Sequence, residues 1–311
     1  MFDLRAIMVS LGFFGVLYCL LSLFIACTWR FTRLLPRLSS TALARLLFGL
    51  RISPLIAAGI VTLAFATPAF VILESGVIDE DVGTLVFSIC SLLLFGAGVF
   101  RALTARARTN RIVGDWMQDA SALNVGASVP TFESRTGMPP LLLFGVSAPR
   151  VLVSQAAVAV LNPEELRLAV QHEMVHLHSR DNLKKLILHC CPFPGMGSLE
   201  RAWQEAAELA ADEAAISSRH EALDLASALL KVSDLVPVQA PPAFTTGLVN
   251  VSMSVNVRVE RLLAWNEEGD HGADLRWRHF LPPSIATAGY AAINYSHALM
   301  LTHRLTEWFV H

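Results

Sequence analysis

The sequence predicts an α+β membrane protein, mainly helical, with about four transmembrane helices and a folded domain inserted between the third and the fourth. Three observations lead there. The chain is 54% hydrophobic but only 16% charged, and its apolar residues are gathered into uncharged runs long enough to cross a bilayer. Its arginines are distributed unevenly between the loops that join those runs. Between the third run and the last lies a stretch patterned as short strands and capped helices.

Residues 6–29, 52–73 and 82–100 contain no charge, and each meets the need for about 20 apolar residues per span. A fourth span is expected over 281–302; it holds Pro282, Pro283, Asn294 and His297 but no acid, Lys or Arg. Orientation follows from retention of Lys and Arg on the cytoplasmic side. The first loop carries Arg30, Arg33, Arg37, Arg45 and Arg51, whereas the second carries Glu74, Asp79, Glu80 and Asp81. The first loop is therefore expected inside and the second outside. The third span returns to the cytoplasm at Arg101, Arg106, Arg108 and Arg111. This gives a membrane region over 1–100, a cytoplasmic domain over 101–280, and a fourth span with a short tail over 281–311. The first run is read as a span, since it exceeds a signal peptide's apolar stretch and cleavage would leave the arginines outside.

Cysteines and net charge exclude more than they assign. Cys19, Cys27 and Cys90 lie in predicted spans and Cys190 adjoins Cys191, so no disulfide framework is legible. A net charge of −2 leaves no footprint for nucleic acid. The expected partners are the lipid bilayer and a protein or peptide substrate.

In the inserted domain, Leu141–Val153 reads as two short strands broken by Gly145 and Pro149. A helix is expected after Asn162, with Asn162 as N-cap, Pro163 at the first helical position and Glu165 closing a capping box. Leu166, Ala169, Val170, Met174 and Leu177 supply its apolar face. That helix carries His172-Glu173-Met174-Val175-His176. Two imidazoles four residues apart can grip one metal ion while the intervening carboxylate reaches a water on it, the core of a zinc hydrolase.

Two histidines need a third protein ligand and an open position for water. After the break at Pro192, Pro194, Gly195 and Gly197, a second helix is expected from about Ser198 to about Ser217. It offers Glu205, Glu208 and Asp212. Glu208 and Asp212 share one face, so one can bind the metal while the other accepts from the distal N–H of a ligating histidine. Glu208 is the preferred ligand and Asp212 the orienting acid, with Glu205 as competitor.

The run LNPEELRLAVQHEMVHLHSRDNLKKL followed by EAAELAADEAA resembles the BlaR/MecR type of membrane metallopeptidase. The Glu-x-x-x-Asp element is also similar to HtpX and the CAAX prenyl protease. The Gly145–Pro149 region, the Glu-Glu-Leu helix start, Arg180-Asp181, Glu208 with Asp212, and the segment from Arg258 carry the likeness. It covers mainly residues 140–265. The resemblance implies a gluzincin-like domain in a bacterial inner membrane, with His172, His176 and Glu208 holding Zn²⁺ and Glu173 as general base. The β-lactam sensors of this type carry a large extracellular penicillin-binding domain after the last span, where this sequence has His303–His311. A signal is therefore expected from another subunit, the outer loop or the bilayer.

The expected function is that of a membrane-bound zinc endopeptidase cleaving cytoplasmic or juxtamembrane segments in regulatory signalling. The alternative is a transducer or scaffold in which zinc only staples the domain, a use for which Glu173 is dispensable. An extended substrate is expected to add to the edge of the strand near Val151–Ser154. Arg219, His220 and His178 are candidates for polarising the carbonyl oxygen, while His189 reads as a packed side chain.

Overall fold

The computed structural model describes residues 2–31, 38–73, 82–135, 137–235, 242–248, 254–266 and 294–310. Helices α1 (Phe2–Phe31), α2 (Ser40–Val61), α3 (Thr67–Leu73) and α4 (Val82–Gln118) come first, with a π-helical stretch at Thr62–Ala66 joining α2 to α3. Arg5–Arg30, Ser40–Ile72 and Val82–Gln118 are long and apolar enough to cross a membrane. The expected second loop and residues 281–293 of the expected fourth span lie outside the described residues; Tyr295–Val310 forms the last helix, here α11.

Helix lengths differ from the apolar runs because a helix does not end where hydrophobicity does. Arg45 and Arg51, expected in a loop, lie within α2, whose start is capped by Ser39. α4 continues unbroken from the third apolar run through Arg101 and Arg111 to Gln118. Small residues allow close approach among these helices. A Cβ at Gly15 of α1 would overlap Ser91 of α4, and one at Gly98 would overlap the Cys190 carbonyl.

The remaining chain builds a small sheet covered by helices. Strands β1 (Ser121–Ala122), β2 (Thr131–Ser134), β3 (Leu141–Phe144) and β4 (Arg150–Ser154) lie in the order β1-β2-β4-β3, with β2 and β4 parallel and the other pairs antiparallel. β3 and β4 are the two expected strands. β1 and β2 carry no legible alternation because they are short, β1 being exposed and β2 buried only at its two ends. α5 (Gln155–Val160), α6 (Pro163–His178), α7 (Asp181–Cys190), α8 (Gly197–Ala215), α9 (Arg219–Ser233) and α10 (Val255–Leu263) follow. Leu141, Val151 and Val153 of the sheet share a core with Leu168, Leu225, Leu229 and Val259 of the helices.

The expected capping box is present at the start of α6: the Glu165 N–H donates to Asn162 Oδ1, and the Asn162 N–H donates to Glu165 Oε2, each at 2.8 Å. Glu165 is buried and also accepts from Ser227 at 2.6 Å and from Lys231 at 2.8 Å, which ties α6 to α9. Burial alone would raise its pKa; the Lys231, Ser227 and Asn162 donors outweigh burial and hold it below the usual carboxylate value. A depressed carboxyl stabilises the fold above its unfolded pKa and loses that contribution as pH falls through the lowered value. Glu165→Gln is therefore expected to cost about 1.5–3 kcal/mol at neutral pH. The gap to wild type in detergent unfolding curves should close as pH drops below about 4. A gap independent of pH would show that the charge contributes nothing.

α2 and α8 lie side by side and antiparallel. Ser40 Oγ meets Glu213 Oε1 at 2.9 Å at one end, and Arg51 Nε meets Glu200 Oε1 at 2.7 Å at the other. Between them Leu47 and Phe48 pack on the buried Trp203. Arg51 is itself buried and donates to the Cys191 carbonyl at 2.6 Å, so its charge is fully engaged inside a membrane-length helix. This seam fixes α8 relative to the membrane helices.

Candidate metal centre

α6 and α8 face each other and bring three donor groups to one point. His172 and His176, one turn apart on α6, are buried, with their Nε2 atoms 3.2 Å from each other. Glu208 of α8, also buried, approaches His172 Nε2 at 3.5 Å and His176 Nε2 at 3.8 Å. One ligand atom from each residue lies within 4.8 Å of the others. A tetrahedral ion with bonds of about 2.0–2.2 Å requires donors roughly 3.3–3.6 Å apart. The arrangement therefore has the size and donor chemistry of a zinc site.

Both rings are held from behind. His172 Nδ1 lies 3.0 Å from Asp212 Oδ1, and His176 Nδ1 lies 2.7 Å from Asp181 Oδ2. The Asp181 carboxylate keeps the His176 proton at Nδ1 and leaves its Nε2 lone pair turned toward Glu208, and Asp212 stands as the matching acid at His172 Nδ1. Asp181 reaches His176 because Arg180, between α6 and α7, takes a left-handed conformation with φ of 56°. The chain thus turns sharply between α6 and α7. Asp181 also accepts from Lys184 at 2.8 Å.

Arg258 of α10 supports the second acid. Its Nε and Nη2 donate to the two Asp212 oxygens at 2.7 and 2.6 Å, Nη1 donates to the Leu248 carbonyl at 2.5 Å, and Glu208 lies 3.3 Å from Nη1. The guanidinium is buried. An Arg258–Asp212–His172 relay therefore runs from α10 to the donor point.

Glu173, next to His172 and fully buried, accepts from Thr246 Oγ1 at 2.8 Å through Oε2. Its Oε1 is buried with no hydrogen-bond partner among the described residues. An unpartnered buried carboxylate oxygen is costly, and such an atom beside three converging donors fits a group that exchanges protons with a water there.

Electrostatics separate these acids. Burial raises the Glu173 pKa, and the neighbouring imidazoles only partly offset it. Burial also works against the charged form of Glu208, but His176, His172 and Arg258 outweigh it and leave this carboxyl well below its usual value. Asp212 is lowered in the same way, chiefly by Arg258. Burial opposes protonation of His176, yet Glu208 and Asp181 outweigh it and raise the ring to about 10. The donor cluster thus demands positive charge at its centre. Lys185, half-buried beside the small cavity that His176, Glu208 and Thr246 also line, donates to the Thr245 carbonyl at 2.7 Å; loss of solvent pushes its pKa down.

Several expectations fare differently. Glu205 is absent from the donor group formed by His172, His176 and Glu208. His220 is 83% exposed and pairs with Asp224, His178 bonds the Met174 carbonyl, and Arg219 points to the Trp265 carbonyl, so none of these three contacts the centre. His189 packs its ring on Phe244. The expected edge at Val151–Ser154 does not exist, because β4 is paired on both sides. β3 forms that end of the sheet, and its Leu143 exchanges backbone hydrogen bonds with Thr246 at 2.9 and 3.1 Å. Thr246 and Lys185 carry no pattern that marks them in the sequence; Arg258 had only its place in a recognisable segment.

No curated protein matches this chain. The model of a family described as BlaR1 peptidase M56 matches residues 82–262, which take in α4, the sheet and every residue of the donor cluster. The match covers more than half of the 311 residues, and the chain belongs to this family of membrane metallopeptidases.

Proposed function

We propose that the protein is a membrane-bound zinc endopeptidase that cleaves cytoplasmic or juxtamembrane segments of other proteins, with His172, His176 and Glu208 as metal ligands and Glu173 as general base. The observation that carries this reading is the pair of buried imidazoles, each backed by a carboxylate, turned toward Glu208 beside an acid with one unpartnered oxygen. Zinc bound at that point supplies Lewis acidity, which polarises a peptide carbonyl and makes water lose a proton near neutral pH. Glu173 would take that proton at Oε1 as the water oxygen bonds to the carbonyl carbon, and deliver it to the nitrogen as the C–N bond breaks, while Thr246 holds Oε2 still. Its raised pKa suits both halves of this exchange. Asp212 and Asp181 keep the imidazoles in the tautomer that binds through Nε2.

The arginines of α4 and of the segment before α2 support a cytoplasmic position for the domain. A stapling metal would have no use for Glu173, since a buried carboxylate with an unsatisfied oxygen only weakens a structural site.

The test uses the full chain in detergent. Zinc content, thermal unfolding and cleavage of a flexible protein such as casein are followed before chelation, after it, and after zinc is restored. One zinc per chain is expected, with cleavage lost on chelation and regained on repletion, and with a lower Tm in the stripped protein. Full zinc occupancy without cleavage of casein or of membrane-tethered peptides would overturn the enzyme reading.

A further inference from the structure

α1 and α2 enclose a long groove at the end of the membrane helices nearest α8. Its volume is about 490 Å³, and Phe24, Ile25 and Trp29 of α1, Leu50 and Ala57 of α2, and Leu199 of α8 are among its walls. The hydroxyls that border it spend their donors on their own helices. Thr28 Oγ1 donates to the Phe24 carbonyl at 2.9 Å, and Ser53 Oγ donates to the Leu50 carbonyl at 3.0 Å. Each is turned back onto its own helix, so the groove presents carbon along its length. Its size is that of a site enclosing one small ligand.

The surroundings define what fills it. The groove lies between two helices long and apolar enough to cross a membrane, so its lateral neighbour is lipid. Arg30 follows Trp29 and Arg45 precedes Leu46, another wall residue; both are exposed and have no acidic partner among the described residues. The sequence between them adds Arg33 and Arg37 and no acid. An indole at the end of a span marks the headgroup level. Positive charge there attracts anionic headgroups by about 1 kcal/mol per arginine, or about fivefold in occupancy.

We propose that the α1–α2 groove is a binding site for one anionic phospholipid of the surrounding bilayer, its acyl chain lying against Phe24, Ile25, Leu50 and Ala57 and its phosphate held by Arg30 and Arg45. The chain would touch Leu199 in the first turn of α8, beside the Arg51–Glu200 pair and on the helix that carries Glu208. The site is independent of the peptidase reading.

Full-length protein in phosphatidylcholine nanodiscs, doped with phosphatidylglycerol bearing a diazirine in its acyl chain, is irradiated and the labelled peptides are mapped. Labelling concentrated on residues 21–29 and 46–57 is expected, exceeding that from the matched phosphatidylcholine probe. Ala57→Phe fills the groove and should abolish this labelling, whereas Ile56→Phe, at a 52% exposed position outside the walls, should not. Arg30→Gln and Arg45→Gln should each reduce the preference for phosphatidylglycerol about fivefold. These two surface substitutions decide the matter even if Ala57→Phe fails to fold. Labelling spread evenly over all membrane helices, or equal labelling by the two probes, would overturn the proposal.

Discussion

Glu173→Gln is expected to leave zinc in place and lower peptide cleavage by about 10²–10⁴-fold. The substitution is nearly isosteric, and the amide oxygen can still accept from Thr246, so the position of the side chain is preserved. What disappears is the capacity to take and return a proton. No other acid of the centre can replace it: Glu208 and Asp212 are held well into their charged forms by His176 and Arg258, and Asp181 is engaged by His176 and Lys184. The burial that raises the Glu173 pKa also predicts a small gain in folding stability on amide substitution, because a neutral side chain is desolvated more readily. Metal content, unfolding and turnover of one preparation should therefore diverge, with zinc unchanged, Tm equal or higher, and turnover lost. A variant that still cleaves at the wild-type rate would show that Glu173 is not the general base.

Arg258→Met should produce the second large effect, and on different observables. The guanidinium is the cation that neutralises buried Asp212 and stands beside Glu208. Removing one partner of such a pair leaves an uncompensated charge, at a cost of about 3–5 kcal/mol. Asp212 would relieve that cost by taking a proton. A protonated Asp212 no longer holds the His172 proton at Nδ1, so the Nε2 lone pair is no longer reserved for a metal. Loss of such a supporting contact typically weakens metal affinity 10–100-fold. Arg258→Lys should fall between, since an ammonium cannot span both Asp212 oxygens as Nε and Nη2 do. Denaturation in detergent and competition with a zinc chelator measure the two effects separately. Stability and zinc affinity indistinguishable from wild type would show that Arg258 plays no part in the centre.

Much of the architecture was legible because it depends on short-range chemistry. The three long apolar runs mark membrane-length helices wherever they occur. Asn162, Pro163 and Glu165 start α6 through contacts among neighbouring residues, and Gly197–Ala215 is close to the helix expected from its flanking breakers. Helix ends within the membrane region were less legible. Arg45 and Arg51 fall in the expected first loop and Arg101 at the end of the expected third span, yet helices α2 and α4 continue through them, because charge does not stop a helix that has packing partners.

The sequence by itself determined that the two imidazoles would share one helical face, since spacing four along an α-helix permits little else, and that Glu173 would stand beside them one residue after the first. It also offered Glu208 and Asp212 as a matched pair for the same reason. Only the tertiary structure decided which groups stand around them. Asp181 reaches His176 through the reversal at Arg180, Thr246 reaches Glu173 by bridging to β3, and Arg258 reaches Asp212 from α10. It likewise decided that β4 is interior and that β3 carries the edge. Periodicity within one helix is encoded locally, whereas the meeting of α6, α8, α10 and the sheet edge depends on how separate elements bury their faces against one another, and no single segment carries that information.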